Sequence, residues 1–154
     1  SKDDLDYLQE NLRIISGLDG LLKPLDKIMP YRLEMGTKLQ INGYKNLYEF
    51  WGEKITNHLM EDCGEDDVII NLASNEYSKA INLKSFKNVV TPVFKDFKNG
   101  KSKVISFFAK KARGSFARYV VKEKPKKIDE LLNFNGLGYQ FSEITSKNEI
   151  VFSR

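Results

Sequence analysis

The sequence predicts an α+β fold, in which helices pack on a mixed β-sheet that carries two hairpins. Three observations lead there. Short β-prone runs such as Val68–Leu72 and Val89–Phe94 alternate with stretches of helical period. Asn99-Gly100 stands between two such runs, the signature of a tight hairpin turn. A second pair, Tyr139–Ser142 and Glu149–Phe152, flanks a polar turn near the end of the chain. With 154 residues, 41% hydrophobic and 30% charged, residues 1–154 fit one domain with a sizeable core.

Taken in order, residues 3–11 read as a short helix, with Leu5, Leu8 and Leu12 on one side and Asp3, Asp4 and Asp6 in the first turn. Leu12–Leu18 reads as a buried strand ending at Gly17. Pro24, Pro30 and Gly20 then forbid a long regular element, leaving apolar connecting chain packed on the core. Tyr31–Gly36 alternates, Arg32 and Glu34 pointing away from Tyr31, Leu33 and Met35. Asn46 and Glu49 have capping-box spacing, opening a helix to about Glu61 whose apolar face includes His58. Ser74 or Asn75 caps a further helix after the strand Val68–Leu72. Pro92 argues for an edge position or a strand start. Val104–Phe108 reads as a buried strand that runs into a helix from Ala109 to Val121, with Ala112, Phe116 and Val120 as its apolar stripe. A short helix around Ile128, Leu131 and Leu132 precedes the final hairpin.

Charge is the first functional signal. Between Lys95 and Lys127 stand twelve Lys/Arg and two acids, a net +10; the remainder has thirteen Lys/Arg and nineteen acids, a net −6. A cationic face beside an acidic body attracts phosphates and other polyanions. Lys110, Lys111, Arg113 and Arg118 are the candidate phosphate contacts, and Lys98, Lys101, Lys103 and Lys122 add long-range attraction. A helix start near Ala109 would bring its unpaired N–H groups to Lys110, Lys111 and Arg113 as an anion seat. The plainer reading is a solvated basic helix surface.

The second signal is a set of polar residues at strand ends and helix starts: Arg32, Glu34, Asn71, Ser74 and Tyr77. Together with Lys110 and Arg113 they suit a pocket for a nucleotide or other anion, Glu34 being the candidate base for catalysis. The plainer reading is an Arg32–Glu34 ion pair and a Ser74 that merely caps a helix. No metal site is expected, because His58 and Cys63 are the only residues of their kinds. The single cysteine also excludes an internal disulfide. No membrane partner is expected, since no stretch has the apolar length of a span. The chain starts at Ser1, which is expected of a processed product or an excised fragment.

Five ordered blocks carry a family resemblance: Leu12–Asp26, Pro30–Gly36, Leu47–Gly52, Asn71–Tyr77 and Phe108–Gly114. The chain resembles the YaaA family of bacterial peroxide-stress proteins. The resemblance implies a cytoplasmic protein that limits oxidative damage by lowering free intracellular iron and that binds DNA through a basic cleft, with no cofactor. Binding through the phosphate contacts of the basic helix is expected to be non-specific in sequence. It implies that this chain is the C-terminal portion of such a protein, without the N-terminal strand and DNA-binding element of the family. Whether the protein is an enzyme stays open, with an anion-binding pocket as the alternative to a DNA-binding module.

Overall fold

The computed structural model describes residues 1–154 and shows the α+β class: six α-helices, a two-stranded hairpin and a five-stranded mixed sheet. The chain divides into two compact units, residues 1–69 with 73–88 and residues 70–72 with 89–154.

In the first unit, α1 (Lys2–Asn11) is closed at its start by a capping box, in which the Ser1 hydroxyl accepts from Asp4 N–H at 3.2 Å. The strands β1 (Ile14–Ser16) and β2 (Gly20–Leu22) pair antiparallel, Ser16 opposite Gly20. Their turn is tied by the buried Ser16 hydroxyl, which accepts from the N–H groups of Leu18 and Asp19 and donates to the Asp19 carboxylate at 3.0 Å. Gly20 has φ +78°, and a Cβ there would stand 2.8 Å from the Trp51 ring, so no other residue fits without movement. The Trp51 indole N–H donates to Gly17 O at 3.0 Å, fixing the ring over the hairpin.

Two expectations for the neighbouring segments are corrected. After Leu21 the connecting chain leaves the core, with Leu25, Ile28 and Met29 exposed. The turn made by the Asp26 carboxylate with Lys23 N–H swings it outward. The single helix expected from Leu47 is two, α2 (Leu47–Trp51) and α3 (Lys54–Asp62), because Gly52 adopts φ +48° and ends the first. The Asn46 cap holds as expected, its side chain accepting from Glu49 N–H at 2.9 Å. The break changes the helical phase. Ile55, Thr56 and Leu59 are therefore buried, while His58 is exposed rather than part of the apolar stripe. Leu21, Met35, Leu47, Ile55, Leu59 and Ala80 form the core of this unit. Arg13 Nε meets Asp62 Oδ2 at 2.7 Å and Lys23 Nζ its Oδ1 at 3.4 Å, staples across 49 and 39 residues of sequence.

The segment Val68–Ile70 forms β3 and is followed by α4 (Asn75–Ser78). In the second unit β4 (Asn88–Lys98) turns at Asn99-Gly100 into β5 (Lys101–Lys103), the expected hairpin, though β5 stops short of Val104. The final hairpin, β6 (Gln140–Ile144) with β7 (Glu149–Ser153), also forms as expected, and β7 pairs parallel with β4. The sheet order is β3-β4-β7-β6, with β5 added to β4. Pro92 is thus neither at a strand start nor on an outer strand. The ladder bond to the β7 side comes from its neighbour, Thr91 N–H donating to Asn148 O, so the missing proline N–H costs nothing there.

The helix α5 (Ser106–Glu123) replaces the strand expected over Val104–Phe108. A five-residue apolar run does not distinguish strand from helix by itself. Here Ala109, Ala112 and Phe116, all buried, extend the helical stripe back to the run. Phe108 lies under the Arg154 guanidinium, 4.9 Å from ring centre to Cζ. The core below α5 is aromatic: Phe94 stacks on Phe152 at 5.5 Å, and Phe116 meets Phe134 edge-on at 5.0 Å. The helix ends at Lys124, which takes a left-handed φ of 46°. After it, α6 (Ile128–Leu131) inserts Leu131 into the same core.

Candidate functional site

The exposed side of α5 is where unpaired cations gather. Lys110, Lys111 and Arg118 are exposed, and no carboxylate stands within ion-pair distance of them. Lys111 Nζ lies 4.5 Å from the centre of the Phe107 ring. Arg113 differs from the other three. It is half-buried, its Nη1 donating to Leu72 O at 3.4 Å and its Nε to Ala109 O at 3.3 Å. Its fork is directed at the end of the β3 segment.

The anion seat expected at the helix start is displaced. Because α5 begins at Ser106, its orphan N–H groups precede Lys110, Lys111 and Arg113, which lie in the second and third turns. The helix dipole is weak at that distance from the end. What remains there is side-chain charge alone.

The expected pocket residues are divided between the units. Arg32, Glu34, Ser74 and Tyr77 belong to the first, and Asn71, Lys110 and Arg113 to the second. Asn71 Nδ2 reaches Thr91 Oγ1 at 3.4 Å. Ser74 occupies the N-cap position of α4 without a side-chain cap bond, so the capping role read for it is not exercised. Arg32 and Glu34 are exposed and make no ion pair with each other, against the plainer reading of that dipeptide.

Within the first unit, Glu34 and Tyr77 do fall together. Burial raises the Tyr77 hydroxyl above its ordinary value of 10.0, and the negative charges of Glu76 and Glu34 add to this. The Met35 N–H, donating to Tyr77, works the other way. Glu76 is locked by its own bonds, its Oε1 accepting from Gly36 N–H at 2.8 Å and its carbonyl from Tyr48 Oη–H at 2.8 Å. Beside them, Ser16 Oγ lies 2.5 Å from Tyr31 Oη. Sequence reasoning singled out Glu34 and Tyr77 but not Ser16, Asp19, Tyr31 or Glu76. The signal for the first two was the Ser-Gly-x-Asp turn composition; nothing local marks Glu76.

A buried polar knot in the second unit was not anticipated either. Asp96 accepts from Tyr139 Oη–H at 2.7 Å and from Arg154 Nε at 2.6 Å. Burial works to raise the Asp96 carboxyl, but the bonds from Arg154 and Tyr139 outweigh it and hold the group below its ordinary range. Burial and the Asp96 bond push Tyr139 up to about 12. The partners are satisfied, and the knot is structural: it ties β4, the chain end and the residue before β6 together.

No group of three His, Cys, Asp or Glu side chains is placed to hold a metal ion, and no helix is long and apolar enough to cross a membrane. Comparison with known proteins matches residues 1–145 to a family model described as peroxide stress protein YaaA. A UPF0246 protein of Tolumonas auensis is 54% identical over 98% of this chain and 60% of its own length. Those of Colwellia psychrerythraea and Flavobacterium johnsoniae are each 52% identical, over 100% and 99% of this chain and 62% and 61% of their own lengths. The chain thus spans about three fifths of the relatives it matches.

Proposed function

The chain belongs to the peroxide stress protein YaaA family, and on that premise we propose that it binds DNA phosphates through the exposed side of α5. The observation that supports this is the set Lys110, Lys111 and Arg118, exposed and free of carboxylate partners within a window of net +10. Such contacts position a protein on DNA without reading its sequence. Arg113 is assigned a positioning role, holding the Leu72 carbonyl. Lowering of free iron and the cytoplasmic setting belong, on this reading, to the whole longer protein.

The test is a duplex titration across salt concentrations. Three phosphate contacts give a slope of log K against log salt of about −2.7. Reversing Lys111 and Arg118 to Glu should weaken binding and flatten that slope by about 2. An unchanged slope sinks the reading.

A second reading rests on Glu34. It is exposed and free of an ion-pair partner, and its charge adds, behind burial and Glu76, to raising Tyr77; an unpaired exposed carboxylate suits a general base. Glu34→Gln would then abolish saturable nucleotide binding or turnover while leaving DNA affinity intact.

A further inference from the structure

The same face of α5 carries features that duplex phosphates do not explain. Phe107 is 62% exposed: Lys111 Nζ lies 4.5 Å from its ring centre and Phe108 meets it edge-on at 5.7 Å, but most of its apolar area stays in water and adds little to the fold. Phe107, Lys111, Gly114, Arg118 and Lys122 follow at intervals of four, three, four and four, which places them on one face of the helix over about 22 Å. Gly114 lies in the middle. A Cβ built there meets nothing within 4 Å, so neither packing nor a close backbone approach within the protein requires a glycine. A helix interior is weakened by glycine relative to alanine.

From these observations we infer that the α5 face binds single-stranded DNA, with a base stacked on Phe107 and the backbone passing over Gly114 between Lys111 and Arg118. The inference rests on the phosphate-binding reading above and extends it by naming the ligand class. Stacked bases in a duplex do not offer their faces to a side chain, whereas a single strand does, and sequence-tolerant single-strand sites combine aromatic platforms with cations in this way. The cations also select the occupant. A surface whose central charges are Lys111 and Arg118, both exposed, suits a polyanion and repels a second copy of itself.

The test compares a fluorescent oligothymidylate, an abasic strand of the same length and a duplex, each against the chain and its Phe107→Ala and Gly114→Leu variants. The expected result is tighter binding of oligothymidylate than of the abasic strand. Phe107→Ala should lower oligothymidylate affinity roughly tenfold and leave the other two unchanged. Gly114→Leu should weaken single-strand binding while keeping or raising the melting temperature, which separates an obstructed surface from a damaged fold. Equal affinity for thymidylate and abasic strands, or indifference to Phe107→Ala, overturns the inference and leaves phosphate binding standing. Absence of salt-dependent binding to all three probes overturns both.

Discussion

The two units solve the problem of a small core in different ways. The second concentrates aromatic rings, with Phe94, Phe116, Phe134, Tyr139 and Phe152 buried between a sheet and one eighteen-residue helix. The first relies on aliphatic side chains from short elements, held by polar clamps such as Ser16–Asp19, Trp51–Gly17 and Arg13–Asp62. Large rings remove much apolar area per residue. With the inner side of α5 anchored by Ala112 and Phe116, its outer side can be given over to cations and an exposed ring. The clamped unit instead sets its functional candidates, Glu34 and Tyr77, on irregular chain and a four-residue helix.

The sharpest way to break this contrast is at the cores. Phe116→Ala should destabilise the second unit by about 3–5 kcal/mol, against about 2–4 kcal/mol for Leu59→Ala in the first. Amide hydrogen exchange should show each loss confined mainly to its own unit; uniform loss of protection would mean that the two melt as one.

Gly20→Ala probes the clamps. It forces a left-handed φ on alanine and drives a methyl toward Trp51, for a cost of about 1–3 kcal/mol. Chemical denaturation with tryptophan fluorescence reads both the stability and the ring's displacement. A neutral result would show that Trp51 does not pin the hairpin.

The smallest effects distinguish the units by pH. The Arg13 hydrogen bond holds Asp62 below its ordinary value of 3.8, and Asp96 is also held low. Their stabilisation is present above that value. It is lost as pH falls through the depressed values, because the unfolded chain takes up protons first. Both units should therefore weaken in acid, and Asp62→Asn should reduce the slope of denaturation midpoint against pH below about 4. Tyr139 gives the second unit an alkaline limb. Its hydroxyl is raised from 10.0 to about 12, so the stabilisation is full below 10.0 and fades as pH approaches about 12. Tyr139→Phe should remove that part of the alkaline loss; an unaltered profile would assign it to Tyr119, whose hydroxyl burial raises in the same unit.

Much of the fold was legible because it is written in local chemistry. The Asn46 cap, the Asn99-Gly100 hairpin, the closing hairpin and the stripe of α5 each depend on residues a few positions apart. The failures have equally local causes. At Gly52 one residue in a left-handed conformation changed the helical phase and turned His58 outward. At Val104–Phe108 the apolar run fitted two periods, and only the packing of Ala109 and Phe108 chose between them.

The candidate site divides in the same way. Charge segregation and the cations of α5 follow from the order of residues alone, because net charge and helical spacing need no partner. Tertiary structure decided which of those cations are free: it turned Arg113 toward Leu72 O and left Lys110, Lys111 and Arg118 outside. It also decided that Asp96, Tyr139 and Arg154 form a knot, although they lie 43 and 58 residues apart from Asp96 along the chain. Hydrogen bonds and ion pairs between distant residues depend on where the backbone brings them, and no local pattern encodes that.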